Sequence, residues 1–142
     1  MSKKRVLFIC THNSARSQMA EAWLKEIGGD AFEVESAGLA PGTLKPAVIE
    51  AMREVNIDLS ANTTQTVFDV FKSGRRLDYV VALCDTERAE RCPVFPGIKE
   101  RLHWDVPERP KVTGTKEAQL AHVRMVRDLI RERVAAWVAE NP

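Results

Sequence analysis

Arg5-Val6-Leu7-Phe8-Ile9 is a short run of β-forming residues that breaks off into the polar octet Cys10-Thr11-His12-Asn13-Ser14-Ala15-Arg16-Ser17. From Ser17 to Leu24 the residues are mostly good helix formers. A buried strand that passes through a tight loop into a helix is the pattern these residues dictate. Such a turn gathers unpaired backbone N–H groups and the positive end of a helix dipole, which together make an anion site. Within it stand a thiol, Cys10, and six positions later a guanidinium, Arg16. Those donors favour the thiolate, which is the nucleophilic form of cysteine. The planar fork of Arg16 suits two oxygens of a tetrahedral oxyanion. Thr11, His12, Asn13, Ser14, Ala15, Arg16 and Ser17 are the expected oxyanion-binding residues. Asn13 is suited to bracing the loop and Ser17 to donating to the Cys10 sulfur. A nucleophile and an oxyanion cradle on one loop imply attack at a phosphate-like centre.

Further along, strand and helix patterns alternate. Gly28-Gly29 closes the first helix, and Phe32–Ala37 alternates like a strand. Pro46 fits the first turn of a helix running to about Val55, and Thr63-Thr64 are expected caps for a short helix at Val67–Phe71. Leu77–Cys84 is nearly all apolar, as in a strand buried on both faces, and Lys99–Trp104 reads as a fourth strand. Leu120, Val123, Val126, Ile130, Val134, Trp137 and Val138 recur at helical spacing over Lys116–Ala139. The expected fold is α/β: residues 1–142 as a single domain with a doubly wound, four-stranded parallel sheet flanked by helices. Ligands of such sheets bind beyond the carboxyl ends of the strands, which is where Cys10 stands.

With 21 basic and 20 acidic residues the formal net charge is +1, which gives no reason to expect nucleic acid or an anionic membrane as partner. No apolar run approaches the length of a signal h-region or a transmembrane helix, so a cytoplasmic protein is expected. The three cysteines are an odd count and imply chemistry rather than a disulfide framework. Cys84 ends the third strand, and if that strand neighbours the first, about 4.8 Å separates the two. Cys92 follows across the polar segment Asp85–Arg91. In a straight helix that eight-residue step is roughly 12 Å, whereas a disulfide needs Cα atoms within about 7 Å. Bridging Cys84 to Cys92 therefore requires the segment to unwind, and with Ala89 its one apolar residue it has little packing to lose. A zinc site is the rival reading of these cysteines. It lacks a Cys-x2-Cys pair, and His103 stands at no recognised ligand spacing.

The octet and the segments after it resemble the low-molecular-weight protein tyrosine phosphatase family, over nearly the whole chain. Cys-Thr-His-Asn-Ser-Ala-Arg-Ser resembles the family's arsenate reductase branch, whereas its phosphatases usually carry Gly-Asn-x-Cys-Arg-Ser-Pro. The resemblance implies reduction of arsenate, with phosphate and sulfate as analogues, through Cys10, Cys84 and Cys92, with thioredoxin as the reductant. It implies no required cofactor. The Cys84–Cys92 spacing is one residue longer than in the best-known members. The alternative is a phosphatase working through a Cys10 phosphoenzyme. The resemblance also implies an aspartate of an Asp-Pro pair as general acid, a pair this chain lacks. In His103-Trp104-Asp105-Val106-Pro107-Glu108, Asp105 fits by side-chain type and Glu108 by spacing from Trp104. Some reductases of the family bind potassium behind the loop. Asn13, Glu21 and Ser36 match that site, but an expected aspartate is Gln65, so weaker cation binding is expected. The protein is expected to act as a monomer, with His122 a surface or groove residue.

Overall fold

Strand β1 (Lys4–Cys10) is paired in parallel on both sides: with β2 (Phe32–Gly38) from Lys4↔Phe32 to Cys10↔Gly38, and with β3 (Tyr79–Ala82) from Val6↔Tyr79 to Ile9↔Ala82. Strand β4 (Glu100–His103) adds to β3, so the four-stranded sheet runs β2-β1-β3-β4, all parallel. This computed structural model describes residues 4–10, 16–40, 42–74, 77–83, 100–104 and 115–140. The first and third strands are therefore neighbours, the condition left open in the sequence.

The period-two alternation of β1 divides the core. Val6 and Phe8 join a large cluster with Trp23 and Leu24 of helix α1 (Arg16–Gly28) and Val48, Ala51 and Met52 of helix α2 (Pro46–Arg53). Val123, Ile130 and Val134 of helix α4 (Lys116–Glu140) belong to the same cluster. Leu7 and Ile9 join Ala37, Leu77, Val80 and the buried side of helix α3 (Val67–Lys72) in a second cluster. Burying side chains of this size stabilises the fold by about 1.5–3 kcal/mol each. The two-sided core makes the sheet doubly wound. An aromatic group closes the larger cluster: Trp137 meets Tyr79 edge-on at 5.1 Å between centroids and Phe32 at 5.4 Å, and Trp104 lies 5.7 Å from Phe8.

Several boundaries differ from the sequence expectation, each for a local reason. Helix α2 stops at Arg53 rather than Val55, because Asn56 takes a left-handed φ of 65°. Its N–H bonds to Arg53 O while that of Ile57 returns to Met52 O, closing the helix end. The cap of α3 is Thr66, not Thr63 or Thr64: Thr66 accepts from Asp69 N and Asp69 accepts from Thr66 N, a reciprocal capping box. Ordered strand β3 is shorter than Leu77–Cys84, although Asp78 N to Arg5 O and Leu83 N to Ile9 O extend its pairing at both ends. His122 is half-buried, and its Nε2 is sealed from solvent with no partner among the described residues.

Candidate active site

Cys10 is the last residue of the central strand and is buried, with 3% of its surface exposed. Its carbonyl accepts from Leu39 N at 3.1 Å, which ties it to the turn after β2. Its Sγ lies 2.9 Å from the hydroxyl oxygen of Ser17, itself fully buried. Once the thiol is ionised it has no proton to give, so Ser17 is then the donor. Helix α1 begins at Arg16 with no acidic residue in its first turn, so no carboxylate there offsets the positive end of the helix. Ser17 thus stands within hydrogen-bond distance of the Cys10 sulfur. Thr11–Ala15, the body of the loop, lies outside the described residues.

Arg16 is 7% exposed, an unusual burial for a guanidinium. Its Nη1 donates to the carbonyl of Leu83 at 2.7 Å, while Leu83 N donates to Ile9 O at 2.7 Å. Leu83 is thus held from both sides at the carboxyl end of β3, beside the strand that ends in Cys10. A rigid fork of five N–H donors anchored in this way is oriented before any anion arrives. Cys84, Cys92, Asp105 and Glu108 lie outside the described residues. Trp104, next to Asp105, is buried and its N–H donates to Ala82 O at 2.9 Å.

Behind the loop, Glu21 and Ser36 are brought together: Ser36 Oγ donates to Glu21 Oε1 at 2.6 Å. Lys25 Nζ reaches the other carboxylate oxygen at 2.6 Å. The amide of Gln65 donates to Ser36 O at 2.9 Å, and Gly38 N donates to Gln65 O at 2.8 Å. Asn13 lies outside the described residues.

Sequence reading missed one residue of this neighbourhood. Gln18 is fully buried on α1, donating to Thr63 O and accepting from Asn62 Nδ2, both at 3.1 Å. It fastens the segment before α3 to the helix that carries Ser17. Gln18, Glu21 and Lys25 are spaced three and four apart, so they form one polar stripe on the helix. Such a stripe is normally solvated, and nothing local marks this one as covered.

The arrangement brings a buried thiol beside a hydroxyl near the start of a helix whose first residue, Arg16, has an anchored guanidinium. That is the equipment for attack on a tetrahedral oxyanion. An arsenate reductase of Halalkalibacterium halodurans is 42% identical over 137 residues, covering 96% of each chain. A solved arsenate reductase in the phosphate-binding state superimposes with a TM-score of 0.76 at 29% identity, covering 98% of this chain and 99% of that one. The thioredoxin-dependent arsenate reductase of Corynebacterium glutamicum gives a TM-score of 0.75 at 28% identity, covering 97% of this chain and 61% of that one. The model of low-molecular-weight phosphotyrosine protein phosphatases matches residues 5–141. With its strand–loop–helix site and this match over nearly its whole length, the chain belongs to the low-molecular-weight phosphotyrosine protein phosphatase family.

Proposed function

We propose that the chain reduces arsenate to arsenite by a three-thiol relay regenerated by thioredoxin. The observation that carries the reading is the position of Leu83. Leu83, the residue before Cys84 in sequence, is bonded to Ile9 and to Arg16 beside the strand that ends in Cys10, which supports a second thiol close to the first. Similarity to reductases along the whole chain supports the same reading.

In the first step the Cys10 thiolate attacks arsenic(V), held by the loop amides and Arg16. An oxygen departs as water with a proton from Asp105 or Glu108, leaving a sulfur–arsenic bond. Cys84 then attacks the Cys10 sulfur. The new S–S bond forms as the sulfur–arsenic pair withdraws onto arsenic, which leaves as arsenite, reduced by two electrons. Cys92 attacks Cys84, returning Cys10 as thiolate and moving the disulfide to Cys84–Cys92. Thioredoxin reduces that disulfide by exchange. A reducing cytoplasm is the setting proposed, and among the described residues no helix is long and apolar enough to cross a membrane.

The test is NADPH consumption with arsenate, thioredoxin and thioredoxin reductase, with p-nitrophenyl phosphate hydrolysis measured alongside. One NADPH oxidised per arsenite formed is expected. Cys92→Ser should release arsenite once and stop as a Cys10–Cys84 disulfide. Efficient phosphate-ester hydrolysis without arsenate-dependent NADPH oxidation would replace this reading with that of a phosphatase using the same Cys10 and Arg16. A Cys84→Ser protein that turns over normally would end the relay.

A further inference from the structure

A cation held behind the loop would need free oxygen lone pairs and uncompensated negative charge. Of the residues expected to supply them, Glu21 and Ser36 are otherwise engaged. Glu21 spends one carboxylate oxygen on the Ser36 hydroxyl and the other on the Lys25 ammonium, each at 2.6 Å. The Ser36 carbonyl receives the Gln65 amide at 2.9 Å. Gln65 stands where the resemblance leads one to expect a further carboxylate. The negative charge of Glu21 is therefore matched by a lysine four residues on along the same helix, and the Ser36 carbonyl is met by an N–H donor. Two kinds of donor point where a metal ion's positive charge would be wanted.

We propose that Lys25 and Gln65 together take the place of a bound potassium ion, so that this chain braces its oxyanion loop without one. The seam they complete joins three elements. Glu21 and Lys25 belong to α1, Ser36 to β2, and Gln65 to the segment before α3, whose backbone is pinned by Gly38 N to Gln65 O. Gly38 pairs with Cys10 in the sheet. A cation at this point would pull the same three elements together behind the nucleophile, and the covalently attached donors do so with no loss of a free ion's entropy. The side chain of Lys25 is about half exposed and that of Glu21 mostly covered, so the pair is weak as a surface ion pair and acts by occupying the carboxylate.

The inference concerns oxyanion binding and stability and does not depend on the thiol relay, so its test uses neither arsenate nor thioredoxin. Inorganic phosphate affinity and Tm are measured in potassium, sodium and choline chloride at equal ionic strength. For the wild type, phosphate affinity should differ by less than about twofold among the salts, with superimposable melting curves. In Lys25→Met/Gln65→Asp, which restores charge and removes the resident cation, potassium should tighten phosphate by about fivefold or more over choline. Its Tm should rise with potassium concentration. Gln65→Asp alone, a milder change, should show the same potassium response in weaker form and serves if the double variant does not fold. A saturable, potassium-specific rise in wild-type Tm would overturn the proposal. So would variants that fold yet stay indifferent to potassium, since the place would then be no cation site at all.

Discussion

Arg16 and Leu83 are joined by a 2.7 Å hydrogen bond from guanidinium to backbone carbonyl, across a sequence separation of 67 residues. One side chain therefore fastens the end of β3 beside β1 and, in the proposed reaction, also presents donors to the oxyanion. Substrate recognition and the placement of the next thiol in the proposed relay share a single anchor. The bond also explains how a guanidinium is buried here, since the carbonyl meets part of its donor demand.

Arg16→Lys separates those tasks by keeping the charge and losing the fork. We expect kcat/KM for arsenate to fall by about 10² or more, comparable to the loss of an oxyanion donor elsewhere. Stability should fall by about 1–3 kcal/mol, because Leu83 O loses its donor in a buried setting. Steady-state kinetics and thermal unfolding measure the two separately. A lysine variant within a few-fold of wild type would show that the fork is not what holds the anion.

Ser17→Ala removes the hydroxyl 2.9 Å from the Cys10 sulfur while leaving a small residue at a fully buried helical position. Hydrogen bonds to charged groups contribute about 1.5–3 kcal/mol. Alkylation of Cys10 by iodoacetamide at neutral pH should therefore slow by roughly tenfold or more, with the melting curve nearly unchanged. Equal alkylation rates would reduce Ser17 to a packing role.

The acid assignment rests on two candidates beyond Trp104. If Asp105 donates the proton, Asp105→Asn should slow the chemical step by roughly 10² while Glu108→Gln does little. The reverse pattern transfers the role to Glu108. Single-turnover measurement of arsenite release distinguishes them, and small equal effects would remove both.

Glu54 offers a pH test of the frame. Its carboxyl lies below the usual range, first because Arg124 hydrogen-bonds it (Nε to Oε1 at 2.9 Å), against an opposing effect of burial, and then because Arg127 does so at 3.0 Å. A depressed folded-state value means that the link contributes fully above the unfolded glutamate value of about 4.3 and is lost as pH falls through the folded one. Glu54→Gln should lower Tm at neutral pH, and the gap to wild type should close below about pH 4. A gap that persists unchanged at pH 3 would mean that charge is not what joins α2 to α4 there.

How much of this was legible in the sequence varied with the kind of signal. The β1 run, the octet and the long helix α4 were readable because each is defined by local pattern: an apolar run, a polar break, a helical period. Val123, Val126, Ile130, Val134 and Trp137 are all buried, as that period required. Whether β1 and β3 are neighbours was left open by the sequence, and the sheet order makes them so. Features set by tertiary geometry were not readable. Three threonines compete for the cap of α3, and Thr66 wins because the Gly38–Gln65 hydrogen bond and the Gly38–Thr66 bridge fix where the chain turns. Arg127, buried among Ala51 O, Glu54 and Asp128, looks in sequence like any arginine on a solvated helix face. Gln18 was hidden in the same way.

The position of Cys10 also bears on how the protein fails. Residues 6–10 are all buried, and the strand is hydrogen-bonded on both sides, so it has no open edge from which to fray. Fluctuations that open a domain piecemeal begin at sparsely packed margins and reach a central strand last. The sulfur is attached to the part of the molecule whose release is equivalent to global unfolding. Inactivation by heat or denaturant should accordingly coincide with loss of the whole fold, and proteolytic nicking at the periphery should leave the thiol's environment standing until the sheet itself comes apart.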